Sequence, residues 1–510
     1  MTRHFRKFFG RLGAPERESK KACHSERSEE SRWTHAVSVE ARNPCWILRC
    51  APNDKPNRPF SAPPKPIVSG QLVASFICLW LASPLAHTLA TAAGTPAQKP
   101  NIILILADDL GYGSLGCYGS SGIKTPNIDR LAAGGMRFTD FHSNGPMCSP
   151  TRAALLTGRY PQRCAWIDDE ELSPVFREQR KQNPSQRWAW GISTSEVTIA
   201  QLLRPAGYRT GLIGKWHLGY DFRFHPLNFG FDEFRGFVGG NVDYHTHVAG
   251  YGLKQLDWWN GKKIENDEGY TTELLTKYAT DFIARNKAQP FFLYLAHAAP
   301  HDPWQGKNPN QKKSPTEIYR EMIEGLDASV GTIAAALRKN DLEKNTLLIF
   351  CSDNGGAAPR GFPANGRLQG RKGGMQEGGH RVPFIASWPG VITAGTTNGS
   401  TVMTMDFFPT FAKLAGATTP AGHPIDGTDL MPLLKDPATK SDRVLHWLFG
   451  DAWAVRRGAW KLSGEGEKAL SLVNLEKDLE EKNNRLSEQP ELVSELTNLH
   501  RHWIESVGSR

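Results

Sequence analysis

Five continuous apolar runs constrain this chain more than any other feature: "NIILILA" (101–107), "RTGLIG" (209–214), "FFLYLAH" (291–297), "TLLIFCS" (346–352) and "VPFIASW" (382–388). Runs that are apolar throughout, rather than alternating, read as strands covered on both faces. Helical stretches separate them. "SEVTIAQLLRPAG" (195–207) offers Ser195 as an N-cap and stops at Pro205-Ala206-Gly207, and "TTELLTKYATDFIARN" (271–286) is amphipathic. Residues 314–340 carry Ile318, Met322, Leu326, Val330, Ile333 and Leu337 along one stripe. The alternation predicts an α/β fold with a large, mainly parallel mixed sheet flanked by helices. Beyond about residue 440 the texture changes. "AWAVRRGAWKLS" and "KALSLVNLEKD" read as antiparallel strands and "QPELVSELTNLHRHWIES" as a closing helix, so a small C-terminal α+β subdomain is expected over 441–510, after a main domain over 98–440.

The net charge of +9 does not make this a nucleic-acid binder. Residues 1–95 hold 14 Lys+Arg against 7 Asp+Glu, and the remainder holds 47 against 45, so the body is nearly neutral. Residues 1–66 are polar and lack apolar periodicity, and read as a mis-called or disordered extension. Residues 67–93 read as a signal peptide. Leu72–Ala86 is the length of its apolar core and short for a membrane span, and Ala90, Ala92 and Ala93 offer a cleavage site. Translation starting near Val68 explains this arrangement; the alternative is a genuine tail with a membrane anchor. An exported protein, periplasmic or extracellular and without a stable membrane span, is expected. Cys117, Cys148, Cys164 and Cys351 are too few for a disulfide framework, though one bridge among Cys117, Cys164 and Cys351 stays open.

Ligands of parallel α/β sheets gather at the carboxyl ends of strands. Here those ends carry Asp108-Asp109, then Lys215 and His217, then His297 and His301, then Asp353-Asn354. Each acidic pair alone is readily a helix cap or a turn. Two pairs, each after a buried strand, make an all-oxygen donor set suited to a hard divalent cation rather than zinc. A lone Lys or His is usually a solvated surface group. Lys215, His217 and the Gly-rich Lys372 segment, converging near such a cation, imply an anionic substrate group. Cys148 in "PMCSPTRAALLTG" (146–158) sits at the start of a helix with Pro150 in its first turn, where the helix dipole would depress a thiol pKa. No cysteine-hydrolase partner is evident, so composition and spacing leave Cys148 unexplained.

"PMCSPTRAALLTG" and "GYRTGLIGKWHLG" (207–219) resemble the two signatures of the type I sulfatases, of the alkaline-phosphatase-like superfamily. "ILADDLGYG", "HAAPHDPW", "FCSDNGG" and "GRKGGMQEGGHRVPF" are similar to that family's remaining blocks, in the same order. The likeness runs over about residues 100–510 and includes arylsulfatases and N-acetylgalactosamine-6-sulfatases. It implies an alkaline-phosphatase-like fold and hydrolysis of a sulfate ester. It implies that Cys148 is oxidised to formylglycine by a formylglycine-generating or sulfatase-maturating enzyme that reads Cys-x-Pro-x-Arg. In the family, one hydroxyl of the hydrated aldehyde attacks sulfur and displaces the alcohol; the other then loses its proton and expels sulfate as the aldehyde re-forms. Carried onto this chain, Asp108, Asp109, Asp353 and Asn354 would bind Ca²⁺, with Mg²⁺ as the alternative, and position 148 would share the shell. Arg152 would support the formylglycine hydroxyl, and Lys215 and Lys372 would hold sulfate oxygens. His217 would take the proton that triggers sulfate release, and His297 would contact the ester oxygen as general acid. "DYHTH" (243–247) resembles a segment with one more sulfate contact, assigned to Thr246. His301 receives no role. Arg371 stands where a small residue is common.

Substrate identity is less legible. "FHPLNFGFDEFRGF" (224–237) and "YGLKQLDWWNGKK" (251–263) read either as a sugar pocket or as local packing, and the expected substrate is a sulfated carbohydrate or an aryl sulfate. Two rival readings share parts of this pattern. A phosphatase or phosphonate hydrolase of the same architecture would favour Thr or Ser as nucleophile and a second metal with His ligands. A non-catalytic glycan-binding relative would have lost one of Cys148, Lys215, His217 or His297, and all are present.

Overall fold

The computed structural model describes residues 99–164, 166–167, 191–250 and 254–508. The expected extension (1–66) and signal peptide (67–93) lie outside the described residues. One sheet has ten strands: β1 (Asn101–Ala107), β2 (Met136–Phe138), β3 (Arg209–Lys215), β4 (Glu233–Phe237), β5 (Trp259–Asn260), β6 (Lys263–Ile264), β7 (Phe291–Ala296), β8 (Thr346–Ser352), β9 (Phe384–Ser387) and β10 (Thr396–Asn398). Their spatial order is β10-β2-β9-β8-β1-β7-β3-β4-β5-β6. The centre, β8-β1-β7-β3-β4, is parallel throughout. β9, the last of the five apolar runs, is buried but antiparallel to β8. The chain between them turns back without a long crossover helix, so it re-enters the sheet from the end it left.

The continuous apolar runs have the two-sided cover that their composition requires. Ile102, Leu104 and Leu106 of β1 enter one core with Leu155 and Phe407, while Ile103 and Ile105 enter the other with Phe282, Ile283 and Ile333. The helices on these faces include α1 (Pro126–Ala133), α2 (Cys148–Thr157), α3 (Ile199–Leu203), α4 (Thr271–Asn286), α5 (Pro315–Lys339), α6 (Glu377–His380) and α7 (Phe407–Ala415). The α5 stripe is buried at Met322, Leu326, Val330, Ile333 and Leu337, and Ser314 and Glu317 close a capping box at its start. α3 is shorter than expected from 195–207. Its N-cap is Thr198, which accepts from Gln201 N–H in a capping box, whereas Ser195 Oγ pairs with Ser193 Oγ at 2.9 Å.

The C-terminal subdomain is a four-stranded antiparallel meander, β11 (Val444–Phe449), β12 (Ala452–Arg457), β13 (Trp460–Glu465) and β14 (Lys468–Asn474), followed by α8 (Pro490–Gly508). Leu496 of α8 packs on Trp453, Val455, Leu462 and Leu472. Trp503 joins Trp447, Tyr160, Met375 and Ala154 of α2 in one cluster. Cys117, Cys148, Cys164 and Cys351 are free thiols, so the disulfide left open among three of them is not formed. Among the described residues, no helix is long and apolar enough to cross a membrane.

Candidate active site

Register brings the polar strand ends to one edge. Ala107 is level with Ser352, Leu106 with Ala296, and Ala296 with Gly214. Asp108, Asp353, His297 and Lys215 therefore follow side by side on β1, β8, β7 and β3. Asp109 takes a left-handed backbone (φ 64), which an Asp tolerates better than a bulky residue. Its N–H donates to Asp353 Oδ1 at 3.2 Å, and the next N–H, of Leu110, donates to Ser352 Oγ at 3.0 Å.

α2 approaches this edge with its N-terminus. Cys148 is its first residue, Pro150 lies in its first turn, and Gly158 closes it in the left-handed conformation. Cys148 Sγ is 3.3 Å from Asp108 Oδ1 and 4.0 Å from Asp109 Oδ1. One turn on, fully buried Arg152 donates from Nε and Nη2 to Asp353 Oδ2 (3.1 and 2.8 Å) and from Nη1 to the Lys215 carbonyl (3.1 Å). The expected depression of the Cys148 thiol does not occur. Burial, then Asp108 and Asp353, push it well above its usual range and outweigh Lys215 and Lys372. An unmodified thiol here is a poor nucleophile.

Two lysines complete the cluster. Lys215 Nζ donates to Asp108 Oδ2 at 2.6 Å. Lys372 Nζ donates to Asp109 Oδ2 at 3.0 Å and lies 3.1 Å from His301 Nε2. Burial alone would raise the Asp108 carboxyl, but Lys215, His301, Arg152 and Lys372 outweigh it and hold it below the usual carboxylate range. Burial and the neighbouring Asp108 push Asp353 up to about 6, even with Arg152 on one of its oxygens. The acidic set thus has room for further positive charge. Asn354 donates from Nδ2 to Asp109 Oδ1 at 2.7 Å, and its Oδ1 is buried with no hydrogen-bond partner. Three carboxylates and an orphaned carboxamide oxygen fit a hard divalent cation. The ligand atoms of Asp108, Asp109, Cys148 and His301 lie within 4.8 Å of one another.

The histidines divide differently from the expectation. His297 Nε2 is 2.9 Å from Ser329 Oγ, on α5, and burial alone pushes its pKa down to about 3. His301, four residues on, meets Lys372, and its Nε2 lies 3.6 Å from Asp109 Oδ2. Sequence reasoning passed over His301 because both residues follow the same strand; the loop 298–301, pinned by Asp108 N–H on the Ala299 carbonyl, carries the second one into the cluster. His217 is half-buried in a left-handed conformation (φ 57), and its Nδ1, buried, has no hydrogen-bond partner. Burial, then Lys215 and Arg152, hold it well below the usual imidazole range, so it is neutral. Ser149, next to Cys148, donates to the His217 carbonyl at 3.0 Å. Thr246 lies exposed in the 243–247 turn, with its N–H on Asp243 Oδ1, and joins none of the cluster's hydrogen bonds among the described residues. Tyr244 of that turn does reach the His301 carbonyl through its hydroxyl, at 3.0 Å.

The aromatic segments resolve as packing. Phe224, Phe229, Phe231, Phe234, Phe237 and Trp258 are buried, and Trp258 stacks on His247 with centroids 4.1 Å apart. Residues 251–253 lie outside the described residues.

The family model described as Sulfatase matches residues 100–417. The chain belongs to the sulfatase family. A second model, N-sulphoglucosamine sulphohydrolase, C-terminal, matches residues 371–504 of this sulfatase. The sulfatase is 38% identical over 385 residues to N-acetylgalactosamine-6-sulfatase of Canis lupus familiaris, covering 72% of each chain. It is 32% identical over 472 residues to steryl-sulfatase of Mus musculus, covering 77% of this chain and 74% of that one. The crystal structure of Ps i-CgsB in complex with k-i-k-neocarrahexaose matches it with a TM-score of 0.70 at 34% identity, over 80% of this chain and 93% of that one. This sulfatase is a hydrolase of sulfuric esters, built on an α/β sheet with a separate small antiparallel one.

Proposed function

We propose that this sulfatase releases inorganic sulfate from a sulfated carbohydrate, through Cys148 converted to formylglycine and a Ca²⁺ held by Asp108, Asp109, Asp353 and Asn354. The carrying observation is the convergence of Cys148 Sγ, Lys215 Nζ and Lys372 Nζ on the Asp108-Asp109 pair. The bound cation would supply Lewis acidity to the sulfate and to the group at position 148. Formylglycine, as its hydrate, supplies an oxygen nucleophile and, after transfer, a route to expel sulfate without water attacking a sulfated intermediate.

The chain's own residues do the rest. Lys215 and Lys372 hold sulfate oxygens and offset the negative charge that grows as the S–O bond breaks. Arg152 orients Asp353 and keeps the strand end fixed beside α2. His217, neutral, accepts the proton of the second hydroxyl. His301 beside Lys372, rather than His297 bound to Ser329, delivers the proton to the leaving alcohol. Thr246, exposed in the 243–247 turn, is kept as a further sulfate contact. The carbohydrate class is supported by a relative named for N-acetylgalactosamine-6-sulfate and by the neocarrahexaose complex of the similar structure. The 72–86 apolar run supports export, and Cys-x-Pro-x-Arg supports a maturating enzyme as partner.

The test is sulfate release from an aryl sulfate and from 6-sulfated N-acetylgalactosamine oligosaccharides, with aryl phosphate alongside, using protein whose residue 148 is shown by peptide mass to be an aldehyde. Turnover of the sulfates is expected. Faster turnover of the phosphate would move the chain to the phosphohydrolase reading.

A further inference from the structure

A second buried charge cluster lies where the C-terminal subdomain meets the two segments that flank the site. Glu377, of α6, accepts from Lys461 Nζ at 2.9 Å on one oxygen and from Arg381 Nη1 at 3.0 Å on the other. Lys461, on β13, also donates to Glu481 at 3.0 Å, and Glu481 accepts the Glu377 N–H at 2.6 Å. Arg456, on β12, binds Asp140 through both terminal nitrogens, at 2.8 and 2.6 Å. His142 and His380 face each other through Nδ1 atoms 3.0 Å apart. The ligand atoms of His142, Glu377 and His380 are near enough to hold a metal, but Lys461, Arg381 and Arg456 already supply the positive charge. Three carboxylates meet three permanent cations, so the cluster is charge-balanced without an ion.

Its position matters more than its charge. Lys372 stands five residues before Glu377, across Gly373 and Gly374, which bring no side chain to fix the backbone. That span is held at Gly373 N–H on the Pro146 carbonyl (2.9 Å), two residues before Cys148, and then at Glu377. Just past its end, Gly355 N–H donates to the Gly379 carbonyl at 2.9 Å, and a Cβ on Gly355 would meet Gly378 O at 1.8 Å, so the chain following Glu377 lies backbone to backbone against the residue after Asn354. Met375 is buried with Trp447 and Trp503 of the C-terminal subdomain. The family model matched over residues 371–504 spans both the Lys372 segment and this subdomain.

We propose that Lys461 is a positioning residue for the Lys372 ammonium: by tying Glu377 to Glu481 it fixes the span that sets Lys372 against Asp109. The C-terminal subdomain thereby acts on the anion-binding half of the site without touching the substrate. This rests on the reading of Lys372 as a sulfate-binding group.

The experiment compares wild type, Lys461→Met, Lys461→Arg and Glu481→Gln, each checked for equal conversion of residue 148. Amide exchange is followed in residues 369–381 and, as a reference, in β1, together with kcat and KM for an aryl sulfate and inhibition by inorganic sulfate. In Lys461→Met, exchange in 369–381 is expected to rise while β1 stays protected. kcat/KM is expected to fall roughly 10- to 100-fold with weaker inhibition by sulfate, an effect in the range of a misplaced charge contact. Lys461→Arg should restore most of both. Exchange in 369–381 that is unchanged, or that rises equally in β1, would overturn the positioning role. If Lys461→Met does not fold, Glu481→Gln, which keeps a hydrogen-bond acceptor for the Glu377 N–H, carries the same comparison. Exchange is read without substrate, so a wild type inert toward aryl sulfate would count against the function while the loop comparison still decides the tie.

Discussion

Cys148 Sγ lies 3.3 Å from Asp108 Oδ1, with Lys215 on the other oxygen of the same carboxylate at 2.6 Å. A thiol wedged against a carboxylate in a buried site is held protonated, and that inertness is the argument for chemical conversion of the residue before it works. Cys148→Ala is therefore expected to remove sulfate release to background, a loss of roughly 10³-fold or more. The thermal midpoint should move by only a few degrees, since Ala fits a helix start. Turnover of aryl sulfate and a melting curve check both; an active Cys148→Ala protein would sink the mechanism.

His301 and His297 make opposite predictions. His301→Gln should lower kcat/KM roughly 10²-fold, the usual worth of a general acid, and leave folding intact. His297→Gln, at a residue bonded to Ser329 on α5, should act chiefly on stability. Equal losses of activity in the two would return the proton-donor role to His297.

Arg152 is fully buried and directs two of its three nitrogens, Nε and Nη2, onto one oxygen of Asp353. Arg152→Met leaves that carboxylate without its cation, at a cost of about 3–5 kcal/mol. Urea unfolding of the purified variant measures it.

Asn354 Oδ1 is a buried acceptor with no protein partner. Removing divalent cations with a chelator should abolish turnover and lower the thermal midpoint, and Ca²⁺ should restore both. A ligand at one hundred times its Kd stabilises by about 2.7 kcal/mol. Asn354→Ala should raise the Ca²⁺ concentration needed for half restoration. A chelated protein with an unchanged midpoint and full turnover would dismiss the cation site.

Burial pushes the pKa of His297 and of His446 down to about 3. Both are neutral when folded and gain a proton on unfolding below pH 6.5. Their contribution is fully present above 6.5 and drains away as pH falls toward 3, at about 1.4 kcal/mol per pH unit for each. Unfolding midpoints measured from pH 7.5 to 4.5 should fall steadily, and His446→Asn should flatten the slope.

The sheet was legible because buried parallel strands announce themselves as unbroken apolar runs, and the four polar strand ends were legible because those runs stop abruptly. The direction of β9 was not, since a run buried on both faces reads the same either way. Ser195 and Thr198 are both N-cap residue types, and what separates them is structural: Thr198 closes a capping box with Gln201, while Ser195 Oγ is taken by Ser193. His301 escaped because loop geometry, not strand periodicity, sets which of two nearby histidines turns inward. The aromatic segments 224–237 and 251–263 look alike in sequence whether they line a pocket or fill a core. The clamp at Lys461 joins residues far apart in the chain and has no local pattern at all.

The place of β1 sets a clock. Its two flanking strands arrive late: Asn101 bonds Phe291 on one side and Thr346 on the other, 190 and 245 residues further along. At ordinary rates of synthesis that interval is about 10–50 s. Until it ends, the pocket that buries Cys148 does not exist, and the cysteine hangs on an open chain. A modifying enzyme that meets the nascent protein in that interval finds its target; one that arrives after β8 has docked finds it sealed.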